Sequence, residues 1–363
     1  MGYEIDFLPV GEESSGGDAI ALRYGNLYGT RAEQTVIVID GGYTDCGTAM
    51  VEHIRTRYGT DRVDIVVSTH PDQDHVTGLE VVVEEMEVGQ LWMHLPWNHS
   101  GSLAEAKARN FKHSQLSDKL EKSLSGASDL EAIARRLGVP IIEPFTGTAT
   151  ADGCFTVLGP TLGFYEELLL SMPEGSSSVA KHSLNFLLSK LSEAAKSLVP
   201  ETMWVETLRN DGETSPRNNS STICLLDVDG HKSLFTGDAG MPALGQVADL
   251  LEALGFVPGE LSFVQIPHHG SRRNVGPDIL DRLLGPKGQA SGIGEAFVSA
   301  PKKNPENKHP AKKVTNAFHR RGYAVHATQG VAKWHHRDAP GRSDYVAAIP
   351  TEFFASVEDD GGA

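Results

Sequence analysis

The sequence predicts an α/β fold of layered sheets carrying a mostly helical insertion, and three observations point there. Short β-like runs open the chain. Apolar runs then alternate with segments of 3.6-residue period, and a stretch from about Ser100 to Asp211 breaks that rhythm with helical patterns rich in Ser, Lys and Glu. With 363 residues, 39 % of them hydrophobic, the chain can bury a large core. At roughly 150 residues per domain the length admits two modules, or one layered domain.

Taken in order, Tyr3 to Leu8, Asp18 to Arg23 and Thr35 to Asp40 read as strands. Thr48 to Tyr58 places Met50, Val51, Ile54 and Tyr58 on one helical face, and Gly59 stops it. Val63 to Val67 is apolar enough for a strand buried on both faces, and a helix follows from about Val76 to Met86. Within the insertion, Leu103 to Phe111, Leu130 to Leu137 and Ser178 to Leu198 carry helical patterns. Sheet patterns resume at Thr222 to Val228, with a hairpin turn at Asp229-Gly230, then Lys232 to Thr236, a helix at Pro242 to Leu254 and a strand at Leu261 to Ile266. Strands and helices alternate to about Ile349, with no internal repeat.

Charge and cysteine content narrow the function. Asp and Glu number 48 against 32 Lys and Arg, a formal net charge of −16, which disfavours a protein that coats nucleic acid or anionic membrane indiscriminately. Three widely spaced cysteines, Cys46, Cys154 and Cys224, form no framework and suit a reducing compartment. The start has no basic segment before an apolar run, no stretch reaches the roughly 18 apolar residues of a membrane span, and Asp6 stands where myristoylation wants Ser or Thr. A cytoplasmic protein with no membrane partner is expected.

Chemistry concentrates at four junctions. His70-Pro71-Asp72-Gln73-Asp74-His75 follows the buried strand and packs four potential metal ligands into six residues. The plain alternative is a solvated turn with a capping Asp. Leu234 to Asp238 ends a strand in Gly-Asp, Pro267 to Ser271 ends another in His268-His269-Gly270, and His309-Pro310 opens a helix with proline in its first turn. Each has an ordinary reading alone, as a turn, a surface histidine or a cap. Four strand-end or helix-start junctions that each supply His or Asp point together to a metal centre.

These motifs resemble the metallo-β-lactamase superfamily, whose HxHxDH signature appears here as HPDQDH with Asp72 replacing the second His. With Ile39 to Gly42 (IDGG), LFTGD, PHHGS, KHP at Lys308 to Pro310 and the early Gly17-Asp18-Ala19, the set looks like the soluble lactamase-like domain of ComEC-type DNA-uptake proteins. The likeness spans about residues 3 to 95 and 215 to 335. It implies a single domain over 1–363, a four-layer αββα sandwich with 100–211 as a helical insertion or cap, and a site at one edge. It also implies two divalent ions: His70 and Asp72 on one, Asp74 and His75 on the other, and Asp238 between them. His268 and His309 would complete the set, with His269 behind the ligands or acting as an acid; Asp74, Asp238 and His269 are thus the catalytic candidates. The choice between His268 and His269 stays open. The superfamily's usual His between the first motif and Gly-Asp has no counterpart, and Asn218-Asn219-Ser220 occupies that region. Asp72 adds an oxygen donor, which shifts preference from zinc toward manganese while leaving zinc available.

Two metals can hold a hydroxide between them and polarise a phosphoryl or carbonyl oxygen, so hydrolysis is expected. Local basic residues favour an anionic substrate: Arg272 and Arg273 follow the His-His segment, and Lys302, Lys303, Lys308, Lys312, Lys313, Arg320 and Arg321 face a single acid, Glu306. Arg272, Arg273 and Lys308 are the substrate-binding candidates. A phosphodiesterase or nuclease acting on DNA, RNA or a cyclic nucleotide leads. The alternatives are a hydrolase of a carbon ester, lactone or lactam, and a catalytically silent binding module of a larger complex that docks a protein partner through 100–211.

Overall fold

The computed structural model describes residues 1–11, 16–99, 124–172, 198–303 and 309–358. Alternation along the N-terminal strands decides the layering. In β1 (Gly2–Phe7), β2 (Ala19–Gly25), β3 (Gln34–Gly41) and β4 (Arg62–Val67), the residues Tyr3, Ile5, Phe7, Ile20, Leu22, Ile37, Ile39, Ile65 and Val67 all enter one core. Their neighbours Ala21, Val36, Val38 and Val66 enter another, because successive strand side chains point to opposite faces.

The second core is covered by helices α1 (Thr44–His53), α2 (Gln73–Glu85) and α3 (Ser125–Leu137), through Met50, Leu79, Val83 and Leu130. The sheet runs β14-β1-β2-β3-β4-β5-β6, where β5 is Glu87–Trp92, β6 is Ile141–Ile142 and β14 is Lys333–Arg337. Beneath it lies a second sheet in the order β13-β12-β11-β10-β9-β7. Its members are β7 (Phe155–Gly159), β9 (Ile223–Val228), β10 (His231–Phe235), β11 (Leu261–Gln265), β12 (Gly294–Val298) and β13 (Tyr323–Ala327). Phe155, Phe235, Phe263 and Phe297 meet the first sheet's inner face, and Phe263 and Phe297 pack edge to face at 5.0 Å. Helix α4 (Leu162–Ser171) follows β7. The outer face of the second sheet is covered by α5 (Met241–Ala253), α6 (Pro277–Leu284) and α7 (Lys312–Arg320), with Val247, Leu280 and Phe318 buried. Strands β8 (Leu198–Pro200) and β15 (Ser356–Glu358) pair separately. The expected αββα order is what forms.

Local expectations shift at element ends. Helix α1 begins at Thr44, ahead of Thr48, and continues through one π-helical turn, Ile54–Tyr58, to Gly59 in the left-handed region. Asp229 and Gly230 both take positive φ, 52° and 83°, as a tight hairpin turn requires. The segment 100–211 is not simply a helical cap, since its described part supplies β6 to the edge of the first sheet and β7 to the edge of the second. Its helical pattern at Leu130 to Leu137 falls inside α3, whereas Leu103 to Phe111 and nearly all of Ser178 to Leu198 lie outside the described residues. Among the described residues no helix is long and apolar enough to cross a membrane.

Strands β3 to β6 run parallel, as do β10 to β13. Their carboxyl ends bring Asp40, His70, Asp238 and His268 to one edge, where open α/β sheets place their ligands.

Candidate metal centre

Asp40 is the hub of the site, although the sequence marks it only as part of IDGG. It ends β3 with φ of 54° and is fully buried. The backbone N–H of Thr69 donates to its Oδ1 at 2.8 Å, and the Thr69 hydroxyl donates to Oδ2 at 2.6 Å. His75 Nδ1 lies 2.7 Å from the same Oδ2, and a carboxylate there can only accept, so His75 carries its proton on Nδ1. The Thr69 hydroxyl proton is committed to Asp40, so its oxygen accepts from His70 Nδ1 at 3.0 Å. In their neutral forms both rings therefore turn bare Nε2 atoms inward, the protonation a metal ligand needs.

Asp238, delivered by the tight Gly237 turn after β10, receives these rings. Its Oδ1 is 3.5 Å from His75 Nε2, and its Oδ2 is 3.7 Å from His70 Nε2 and 3.6 Å from His268 Nε2. Burial pushes the Asp238 carboxyl up, yet His75, His268, His269 and His70 outweigh it and hold the group well below the usual carboxylate range. In return, burial lowers the His75 imidazole while Asp238 and Asp40 raise it by more.

Asp72 occupies the N-cap position of α2 but makes no side-chain cap. Its carboxylate turns to His70 Nε2, at 3.7 Å, and to Arg217 Nη1, at 3.5 Å. Burial raises its pKa, and His70 and Arg217 more than offset that, leaving it at about 2. The capping alternative therefore does not describe Asp72. On the other side Asp74 Oδ2 lies 3.8 Å from His269 Nε2, which also accepts from Gly17 N–H at 3.3 Å. Gly17 must be glycine: its φ is 118° and a Cβ would sit 2.1 Å from the Asp74 carbonyl oxygen.

His268 and His269 both reach the site, from opposite sides. Left-handed φ values of 48° and 54° turn two consecutive side chains toward it, backbone strain that functional sites characteristically hold. His309 stacks on His268 with centroids 6.3 Å apart. It stands outside the groups whose ligand atoms lie within 4.8 Å of one another, which are Asp40-His70-His75, Asp74-His75-His269 and Asp18-His75-Asp238. Asp18 is a second buried acid that sequence reasoning passed over; burial raises its pKa, and Gln265 donates to it at 2.8 Å.

The donor set fits divalent cations. His70 Nε2, His75 Nε2 and Asp238 Oδ1 are buried with no hydrogen-bond partner, and each such atom costs about 1–3 kcal/mol if left unsatisfied. Imidazole and carboxylate are suitable ligands for such ions, which would satisfy these atoms.

Residues 22–160 match the family model of the metallo-beta-lactamase superfamily. Over those residues the chain is similar to the metallo-beta-lactamase superfamily. The match takes in HPDQDH and stops before Asp238, His268 and His309, which the fold brings to the same edge. Several solved structures are similar to the chain at low sequence identity. A diphosphatase from the PhnP family is 11 % identical, with 93 % of this chain and 98 % of that one covered at a TM-score of 0.40. A metal-dependent hydrolase of the beta-lactamase superfamily is 12 % identical, with 91 % and 98 % covered at 0.40. The CmlA beta-hydroxylase E377D mutant is 13 % identical, covering 92 % of this chain and 54 % of that one at 0.44. No curated protein sequence matches significantly.

Part of the basic cluster turns inward on folding. Arg320 is buried with its guanidinium 3.0 Å from Glu201 and on the carbonyls of Thr202 and Val205; Arg321 is buried between Glu206 and Asp281. Lys313 is buried as well, and Lys312 lies over the Phe354 ring. These four hold the fold together and offer no anion site. Arg272 is half-buried and Arg273 exposed on the loop after His269, while Lys308 lies outside the described residues. Arg217, which composition did not single out, is a cation beside the Asp72 carboxylate, at 3.5 Å.

Proposed function

We propose that the protein is a metal-dependent phosphodiesterase or nuclease that uses two divalent ions, zinc or manganese. One observation carries the reading: His70 and His75 present bare, buried Nε2 atoms to Asp238, with Arg217 beside Asp72 at the same edge. His70, Asp72, His268 and Asp238 would hold one ion, and Asp74, His75, His269 and Asp238 the other. When bound, such ions supply Lewis acidity toward a phosphoryl or carbonyl oxygen and activate water for attack. Arg217 adds a cation for an anionic substrate, with Arg272 and Arg273 nearby in the chain. Asp74 Oδ2 and His269 Nε2, 3.8 Å apart, would converge on that second ion. Unpaired Cys46, Cys154 and Cys224 suit a reducing, cytoplasmic setting.

A second reading is hydrolysis of a carbon ester or lactone, since the Lewis acidity such ions would supply acts on a carbonyl oxygen as it does on a phosphoryl oxygen.

Metal analysis of the purified protein, then a panel of a bis-aryl phosphodiester, single- and double-stranded DNA, RNA, cyclic nucleotides and a lactone with Mn²⁺ or Zn²⁺, separates the two. Asp238→Asn should abolish turnover with the fold intact. A protein that takes up no metal, and whose Asp238→Asn variant matches wild type on every active substrate, overturns the enzymatic reading.

A further inference from the structure

His268 meets two amides at one nitrogen. Its Nδ1 lies 3.0 Å from Asn274 Oδ1 and 3.0 Å from Asn218 Nδ2. A neutral imidazole nitrogen either donates or accepts, so the two amides demand opposite tautomers. The first leaves Nε2 bare toward Asp238; the second places a proton on Nε2.

Asn274 prevails because its orientation is pinned. It is completely buried, and its Nδ2 donates to the backbone carbonyls of Asp238, at 2.7 Å, and Ala239, at 3.2 Å. Reversing that amide would set an oxygen against two carbonyl oxygens and leave both unsatisfied, at about 1–3 kcal/mol for each buried group. Asn218 is held less firmly. It reaches Asp238 Oδ2 at 3.2 Å through a side-chain bond alone and touches the Ser215 hydroxyl, which can donate or accept. No backbone partner fixes its amide, and turning it over would trade the bond to Asp238 Oδ2 for one accepted from His268 Nδ1.

We propose that Asn274 is a positioning residue for His268: it accepts the Nδ1 proton, holds the tautomer with a bare Nε2 toward Asp238, and ties the loop after β11 to the loop after β10. It does for His268 what Asp40 does for His70 and His75. The inference rests on the metal-centre reading only for its consequence, since the tautomer is a property of the metal-free chain.

The test uses metal-free, ¹⁵N-histidine-labelled protein in mildly alkaline buffer, where ordinary imidazoles are neutral. Long-range ¹H–¹⁵N spectra of wild type should show His268 protonated on Nδ1. Asn274→Ala should move His268 toward the Nε2–H form and weaken Mn²⁺ or Zn²⁺ binding about 10–100-fold, with the His94 and His335 signals unmoved as a check on folding. Asn274→Asp loses the two bonds to the Asp238 and Ala239 carbonyls and should lower stability, but it keeps the acceptor for Nδ1 and should keep the tautomer, which a merely space-filling role would not require. Wild-type His268 protonated on Nε2 overturns the proposal, even where Asn274→Ala does not fold, as does an Asn274→Ala spectrum with His268 unchanged. A wild-type protein with the Nδ1–H form that binds no metal leaves this proposal standing and sinks the metallohydrolase reading instead.

Discussion

Asp40 Oδ2 accepts from His75 Nδ1 at 2.7 Å and, through the Thr69 hydroxyl, governs His70 as well. A carboxylate at the end of β3 thus sets the tautomers of His70, on the loop after β4, and of His75, in the first turn of α2. Asp40→Asn retains the size and the left-handed backbone but brings an N–H where two donors converge. Metal affinity, measured by competition with a chelator, should fall about 10–100-fold while the circular dichroism spectrum stays native. Unchanged affinity would remove Asp40 from the role assigned here.

Metal occupancy should be visible in thermal unfolding. An ion that binds only the folded state, at about 100 times its Kd, adds about 2.7 kcal/mol. Chelator treatment should lower Tm, Mn²⁺ or Zn²⁺ should restore it, and Asp238→Asn should lose most of the response. A wild-type Tm indifferent to both treatments would mean that the orphaned donors hold no ion.

His94 makes stability depend on pH. The ring is buried between Phe145 and Tyr165, at 4.7 and 4.4 Å, and burial, only partly countered by Glu143, lowers its pKa to about 3. Its folded pKa lies below the unfolded value of about 6.5, so the unfolded chain takes up the proton first. Stability is complete above that value and is lost as pH falls toward about 3, to the order of 4–5 kcal/mol. Denaturant titrations from neutral to acid pH should show a shallower decline for His94→Phe; parallel curves would exclude His94 as the source.

Arg320 and Arg217 should separate cleanly. Arg320→Met strands Glu201 in the interior and should cost about 3 kcal/mol or more, with KM for an active phosphodiester unchanged. Arg217→Met should raise KM with little change in Tm, since its pair with Asp72 is partly exposed. The opposite pattern would return the distal basic residues to the substrate side.

Phe263 tests the layer between the sheets. Its ring packs against Phe7, Phe297 and His335, and Phe263→Ala should destabilise the protein by about 3–5 kcal/mol in urea unfolding. A loss below about 1 kcal/mol would show that this interface closes over the gap.

The sequence by itself determined the layered α/β architecture, because strand alternation and helical period state which face of each element is apolar, and that property is local. It also determined the ligand-bearing junctions at His70 to His75, Asp238 and His268-His269, since each sits where a strand ends. It did not reveal the roles of Asp18, Asp40, Asn218, Arg217 or Asn274, which arise from contacts across 6 to 247 chain positions or from parallel strands that align their ends. Nor could it tell that Arg320 and Arg321 are internal, because a helix sequence shows a run of positive charge but not the Glu201, Glu206 and Asp281 that neutralise it. Only the tertiary structure decided those points: burial and hydrogen-bond partners fix a tautomer or occupy a cation, and they belong to the packed chain rather than to any segment of it.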